Sequence, residues 1–199
     1  MANTQGTVIF SGENPGLTLY KPGTDEVVAA VSYWRSVYSG AGDGNALLMW
    51  IDPSAIDAPN VTGTTILADN SGMARLVADR FTGHFENFRD RGFATAEPQQ
   101  ARFVQEGDGR WYHRVVANTG EDVIELVWGE VLQFELIQSA DFELGPSRWD
   151  LATVICPCEI AMITINNVNL VGEVRVTRAD DDIKSSAFLA FSETWLERS

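Results

Sequence analysis

Lysine is almost absent from this sequence: Lys21 and Lys184 are its two lysines, and the other twelve basic residues are arginine. Acidic residues outnumber basic ones by 28 to 14, which gives a formal net charge of −14. Nucleic acids and anionic membranes are bound through basic surfaces, so this balance argues against both as partners. The expected partner is therefore a small molecule or another protein.

Long apolar runs are also missing, since no segment approaches about 18 consecutive apolar residues and no basic stretch precedes one near the start. The chain has only two cysteines, Cys156 and Cys158, which suits a reducing compartment. We therefore expect a cytoplasmic protein without a membrane span.

Several common catalytic motifs have no counterpart here, including the P-loop, the G-x-S-x-G elbow and the H-E-x-x-H zinc motif. The glycine-rich loop from Gly40 to Gly44 precedes a predicted strand, whereas a dinucleotide-binding loop opens a helix. Common hydrolase and nucleotide chemistries are thus unsupported, and no cofactor is predicted.

Apolar residues make up 45% of the chain, with ten Phe and six Trp, which predicts a packed domain spanning residues 1–199. Most of the sequence consists of short β-prone runs separated by glycine, proline and asparagine turns. In the longest run, Val27 to Tyr38, neither face is purely apolar. That pattern is typical of a strand that lines a mixed pocket or packs within an oligomer.

One stretch departs from the strand pattern and predicts a long α-helix at residues 70–90. Apolar residues recur there at three- and four-residue steps, as one face of a helix requires: Met73, Leu76, Val77, Phe81, Phe85 and Phe88. Asp69, Asn70 and Ser71 offer capping oxygens at its start.

Arg80 and His84 share the apolar side of this predicted helix, so both point toward the core. A buried guanidinium keeps its charge and needs a carboxylate or several carbonyls, which predicts an inward polar cluster. In the functional interpretation Arg80 binds an anionic or carbonyl group and His84 transfers a proton. In the structural alternative Arg80 reaches a rim and His84 bonds to a backbone carbonyl.

The other candidate residues are aromatic or titratable side chains on predicted strands. His113 either faces inward, where it could meet His84, or lies on the surface. A four-residue metal site formed by the two histidines, Cys156 and Cys158 is conceivable, but the C-x-C spacing disfavours it, so no metal is predicted. The expected ligand-binding residues are Tyr33, Trp34, Trp50, Trp111, His113 and Trp128, although aromatic residues also fill cores. Candidate carboxylates include Glu13, Glu125, Glu135, Glu143, Asp150 and Glu193.

These patterns predict a mainly β fold: an antiparallel barrel or sandwich of about ten strands with one long helix at residues 70–90. The architecture resembles calycin-like barrels, which implies a cavity for an apolar small molecule. Our leading hypothesis is a small-molecule-binding protein whose ligand is apolar or aromatic and carries an anionic or carbonyl group. If the site is catalytic, a cofactor-independent isomerase, lyase or hydratase is expected. The alternative is a non-catalytic interaction or structural protein that forms a homodimer or larger homo-oligomer.

Overall fold

The computed structural model describes residues 6–179 and 182–198, and most of them lie in β-strands. Strands account for 61% and helices for 7%, which confirms that the fold is mainly β. Residues 1–5, 180–181 and 199, which the predicted domain also spans, lie outside the described residues. None of the described helices has the length and hydrophobicity of a membrane-spanning segment.

The elements follow one another in this order: β1 (Gly6–Glu13), β2 (Gly16–Tyr20), β3 (Val27–Ser39), β4 (Gly44–Ile51), β5 (Gly63–Ala68), α1 (Ser71–Arg80), a 3₁₀ turn (Thr82–His84), β6 (Gln99–Gln100), β7 (Arg102–Gly107), β8 (Tyr112–Asn118), β9 (Val123–Val131), β10 (Glu135–Leu144), β11 (Ser147–Ile165), β12 (Val168–Asn169), β13 (Val176–Ala179), β14 (Asp182–Ser185) and β15 (Ala187–Arg198). The prediction of about ten strands is too low. Strands of two to four residues account for most of the difference, because they are too short to show an alternating pattern.

Thirteen of the described strands form one sheet, whose main path runs β6-β5-β4-β3-β1-β15-β11-β9-β8-β7. The sheet is mixed, because β6 runs parallel to β5 while the other pairings are antiparallel. The two end strands, β6 and β7, are separated in the chain only by Ala101, whose N–H donates to the Ala68 carbonyl at 2.8 Å. Both ends of the path thus belong to one short segment, residues 99–107.

The inner core lies between two parts of this sheet. The inward side chains of β3 and β4, such as Val31 and Leu47, belong to the same buried cluster as Leu126 of β9 and Ile163 of β11. Along β8 and β9 buried residues alternate with exposed or half-buried ones, as a sheet with one face in a core requires. At one end of these strands the inward-facing side chains are polar, and they rest on this apolar core.

A second core lies on the opposite, outer face of β3, β4 and β5. Trp34, Leu48 and Ile66 point outward from these strands and are fully or almost fully buried. They belong to one cluster with Met73 and Val77 of α1. Further buried members come from the segment after the helix and from the far end of the sheet: Phe81, Phe88, Phe93, Trp149 and Trp195. The first half of the sheet is therefore covered on both faces.

The helix is shorter than predicted. It starts after Asn70, whose side chain caps the Met73 N–H at 3.0 Å as expected, but it ends at Arg80. After Arg80 the chain tightens into the 3₁₀ turn, which leaves no room for a side chain at Gly83, since an added Cβ would lie 2.8 Å from the Ala78 carbonyl oxygen. The prediction of a helix at residues 70–90 is confirmed over Ser71–Arg80 and is wrong for the residues after Arg80, because the aromatic residues there reach the core through turns. These later residues are Phe81, Phe85 and Phe88.

Candidate functional site

A polar cavity of about 380 Å³ lies where the inward faces of β3, β4, β7 and β8 leave the inner core. We call it the interior cavity. Its lining combines aromatic rings with amide, carboxylate and basic side chains: Tyr33, Arg35, Asn45, Phe103, Gln105, Glu106, Gly107 and His113. Two of the predicted ligand-binding residues, Tyr33 and His113, therefore meet at one site.

Strand alternation explains this arrangement. Along β3 the inward positions run Val31, Tyr33 and Arg35, so the same face changes from apolar to polar toward the end of the strand. On β8 the inward positions begin with His113 and continue into apolar core residues. The surface alternative for His113 is wrong, since only 4% of the residue is exposed.

Glu13 organises the hydrogen bonds around the cavity. Its carboxylate accepts from Gln105 Nε2 at 2.7 Å and from Arg35 Nη1 at 3.1 Å. Because a carboxylate only accepts, the amide nitrogen of Gln105 must face Glu13. The second N–H of that amide then donates to His113 Nε2, 3.1 Å away. This assigns to His113 a neutral ring with its proton on Nδ1.

The charge states of the two buried rings agree with this network. Burial lowers the pKa of His113, with Glu13 opposing the shift and Arg35 adding to it, so the neutral ring is favoured. Burial also raises the pKa of Tyr33, and Glu13 raises it further, so the phenol keeps its proton. The Tyr33 hydroxyl donates to Asn45 Oδ1 at 2.6 Å. Asn45 in turn donates from Nδ2 to Asp69 at 2.7 Å.

One donor in this group is left available. Within the described part of the chain, Nδ1 of His113 has no hydrogen-bond partner. Every side-chain nitrogen or oxygen there that is fully shielded from solvent does have a partner, so Nδ1 is not one of the shielded atoms. The Nδ1–H therefore reaches accessible space instead of being sealed in the core. Trp128 and Phe191 pack against the same ring, each with its centroid 5.9 Å away, and hold its orientation.

A second cavity, of about 810 Å³, adjoins the first, and Arg35 and Asn45 line both. We call it the rim cavity. Its lining includes two carboxylates, Asp43 and Asp69. Among the described residues, Arg35 is the one cationic side chain in either lining, so the combined site carries a net negative charge.

Arg80 and His84, the predicted catalytic pair, do not line the interior cavity. Arg80 forms an ion pair with Glu197 and lies over the Trp149 ring, 5.2 Å from its centroid. His84 Nε2 lies 3.0 Å from the Asp79 carbonyl oxygen, and His84 is half-buried in the 3₁₀ turn, not on a buried helical face. These are the contacts of the structural alternative. His84 does line a separate cavity of about 570 Å³ beside Phe88 and Phe93.

The other four predicted aromatic residues are dispersed. Trp128 supports His113 from behind and donates from Nε1 to the Gly16 carbonyl at 3.0 Å. Trp34 lies in the outer core, Trp50 is stacked 3.5 Å beneath the Arg91 guanidinium, and Trp111 is 69% exposed. Only Trp128 therefore contributes to the interior cavity, and it does so indirectly.

Cys156 and Cys158 are both buried in the inner core. Burial raises the pKa of Cys156 to about 11 and that of Cys158 to about 12, so both remain protonated thiols. Cys158 Sγ donates to the Cys156 carbonyl at 3.4 Å. Among residues 6–179 and 182–198, no group of three or more His, Cys, Asp or Glu side chains is placed to hold a metal ion.

Arg35, Asn45 and Gln105 were not predicted from the sequence, and Glu13 was only one of six candidate carboxylates. The available signal was the mixed polarity of β3, whose inward face carries Tyr33 and Arg35. Gln105 gave no signal, because an isolated glutamine in a strand is common and its partner Glu13 is 92 residues away in sequence.

No protein-family model, curated protein or solved structure matches this chain. The functional assignment therefore depends on the geometry of the site.

Proposed function

We propose that this protein binds a small neutral molecule in the interior cavity, through a hydrogen-bond acceptor such as a carbonyl oxygen. The observation that carries the proposal is the His113 Nδ1–H, a buried ring's donor that has no partner among the described residues and reaches accessible space. Gln105 and Trp128 fix the ring before any ligand arrives. A prearranged donor loses little entropy on binding.

The size and walls of the cavity favour an apolar or aromatic body on this ligand. About 380 Å³ is near the lower end of the range for small-molecule pockets, which runs from roughly 300 to 1,000 Å³. Phe103 and Tyr33 form one wall, with ring centroids 5.9 Å apart. An aromatic group can pack against them while its carbonyl reaches His113.

The charge of the site argues against an anionic ligand. Arg35 is already paired with Glu13, and two further carboxylates, Asp43 and Asp69, line the rim cavity. A carboxylate or phosphate entering here would meet more negative than positive charge. Of the two groups expected from the sequence, anionic or carbonyl, the proposal retains the carbonyl.

The same hydrogen bonds favour binding over acid-base catalysis. Nε2 of His113 is occupied by Gln105, and Nδ1 carries the proton, so the ring has no free nitrogen with which to abstract a proton. An isomerase, lyase or hydratase reaction would require Gln105 to release the ring. We therefore propose a binding protein, with a calycin-like barrel closed by the segment 99–107 as its architecture.

A fluorescence titration with matched probes tests this function. Trp128 is in ring contact with His113, so a ligand in the cavity should change its emission. The probes are a series of aromatic amides and ketones, together with the carboxylate analogue of each. We expect saturable binding of the neutral compounds and at least ~10-fold weaker binding of the carboxylates, since about 1.4 kcal/mol separates tenfold affinities.

His113→Phe keeps the ring but removes the donor, and it should weaken binding of the neutral probes by about tenfold or more. His84→Gln is the matched control, because it changes the other histidine of the chain at a different cavity. Preferential binding of the carboxylates, or binding lost in His84→Gln and retained in His113→Phe, would contradict the proposal.

A further inference from the structure

Four neighbouring strands carry an apolar surface that nothing in the described chain covers. The strands are β7, β8, β9 and the second half of β11, and the surface is their face away from the inner core, which we call the bare face. Its apolar side chains are exposed or half-buried: Val104, Tyr112, Val116, Val123, Val127, Ile160 and Met162.

Strand register makes these side chains contiguous. Tyr112, Gly129 and Ile160 lie side by side across three strands. In the next row of the same face, Val127 lies between Arg114 and Met162. Val104 and Val116 are directly paired one row further along. The exposed apolar side chains therefore form one continuous patch and are not scattered single residues.

The bare face is electrically neutral in a strongly acidic protein. The charged side chains that strand alternation places on this face are Arg102, Glu106, Arg114 and Glu125, two of each sign, whereas the chain as a whole carries −14. Arg114 lies near the centre and bonds to Glu106 and to Glu125, each at 2.7 Å. Two copies that associate through this face avoid the charge repulsion that their other, acidic surfaces would cause.

We infer that the bare face binds the bare face of a second copy of this chain, so that two sheets pack against each other. Sheets that pack face to face lie about 10 Å apart and interdigitate their apolar side chains. A two-fold contact is self-complementary, and a neutral face with internally paired charges meets that condition without opposite charge on a partner. A basic partner protein would instead select one of the acidic surfaces.

The dimensions of the face predict a weak dimer. Four strands at ~4.8 Å spacing and about six residues at ~3.3 Å rise give a flat area of roughly 19 by 20 Å. That is about half of the ~800 Å² that each partner contributes to a standard interface. Interfaces of standard size have dissociation constants from µM to pM, so for a face of half that size we expect one on the order of 10 µM.

This inference goes beyond the proposed ligand binding and is independent of it. On β8 the side chains of His113 and Val115 point into the molecule, while Tyr112 and Arg114 point out of it. Ligand binding and self-association thus use opposite faces of the same strands. A variant on one face is expected to leave the other property unchanged.

Sedimentation velocity across a range of concentrations tests the inference. The full chain should shift from monomer to dimer between about 1 and 200 µM, which brackets the expected dissociation constant. Met162→Asp places a charge beside Val127 in the middle of the face, and it should weaken the dimer at least ~100-fold. Met162 is already 46% exposed, so the monomer should tolerate the change.

Val171→Asp is the matched control, because Val171 is more exposed, at 72%, and lies outside the bare face. It should dimerise like the unaltered protein. A monomer at all concentrations, or a dimer that Val171→Asp disrupts and Met162→Asp does not, would overturn the inference.

A second measurement uses the unaltered protein and does not depend on the folding of a variant. Of the methionines in the described residues, Met49 and Met73 are fully buried and Met162 is exposed. Peroxide should therefore oxidise Met162 faster than Met49 and Met73, and the oxidation of Met162 should be several-fold slower at high protein concentration than at low. An oxidation rate of Met162 that does not depend on protein concentration would overturn self-association. The bare face would then be assigned to a partner of different sequence.

Discussion

The two halves of the sheet have the same inner core but differ on their outer faces. Outward residues of β3, β4 and β5, such as Trp34, Leu48 and Ile66, are at most 1% exposed, because α1 and the segment after it cover them. On the bare face Val104 and Met162 are 57% and 46% exposed. The half with β3, β4 and β5 is thus the middle layer of three, whereas the outer face of the other half is exposed to solvent.

This difference shows where the stability of the chain is concentrated. A fully buried large side chain contributes about 1.5–3 kcal/mol relative to an exposed one. The covered half has a cluster of such side chains around Phe81, whose ring lies 5.3 Å from Trp34, 5.0 Å from Trp149 and 4.8 Å from Trp195. Within the described residues, the half of the sheet that carries the bare face has no such cluster of buried side chains on its outer side.

The largest effect should come from emptying the covered half. Phe81→Ala removes a fully buried ring that contacts three tryptophans, and it should lower the free energy of unfolding by about 4 kcal/mol. Urea denaturation followed by tryptophan fluorescence measures the loss. The matched change on the bare face, Tyr112→Ala, removes a ring that is 46% exposed and should cost less than about 1 kcal/mol. Equal losses would contradict the division into a covered and a bare half.

The sequence predicted the strands better than the helix, for a physical reason. The sequence predicts β3 at Val27 to Tyr38, and the strand spans Val27–Ser39, because β-branched and aromatic residues predominate in it and no glycine or proline interrupts it. The segment after Arg80 has apolar residues at helical spacing, but burial imposes that spacing on turns as well as on helices. Periodicity reports which side chains are buried and does not report the backbone that brings them there.

Only part of the site could be predicted, because its contacts join strands that are distant in the chain. Tyr33 and His113 are predicted ligand-binding residues because they are aromatic or titratable, and both line the interior cavity. Their connection through Gln105 and Glu13 depends on β1, β7 and β8 meeting at one end of the sheet, which no local pattern encodes. The sequence predicts burial of Arg80 but not its carboxylate partner, Glu197, which is 117 residues away.

The next largest effect concerns buried charge, which again distinguishes the halves. On the bare face Glu106 and Glu125 are partly exposed and paired with Arg114. In the covered half Glu193 is fully buried and receives neutral donors, including Trp195 Nε1 at 2.6 Å. Burial raises the pKa of Glu193 to about 7 against these hydrogen bonds. The folded state therefore favours the protonated acid.

The sign of the pH dependence follows from the raised pKa of Glu193. Its stabilising contribution is complete below the unfolded pKa of 4.5 and is lost as the pH rises through about 7. Between pH 5 and 8.5 this should cost about 3 kcal/mol of unfolding free energy, at about 1.4 kcal/mol per pKa unit. Glu193→Gln should remove that loss, as measured by urea denaturation at both pH values. The exposed Glu86→Gln should retain it, and an unchanged pH dependence in Glu193→Gln would contradict the assignment.

The smallest effect should come from the ion pair that fastens the end of α1. Arg80 and Glu197 are each about one-third exposed, and pairs in that setting contribute about 1 kcal/mol or less. Arg80→Met keeps the apolar stem over Trp149, so its cost in urea denaturation should stay near 1 kcal/mol. Arg114→Met, compared in dilute solution where the bare face is unpaired, should cost less, because Arg114 has no aromatic ring beneath it among the described contacts. Losses of unfolding free energy that are small in both arginine variants would show that apolar burial, and not ion pairing, separates the two halves. A loss in Arg80→Met as large as that in Phe81→Ala would contradict this, because the exposed contacts of Arg80 do not explain it.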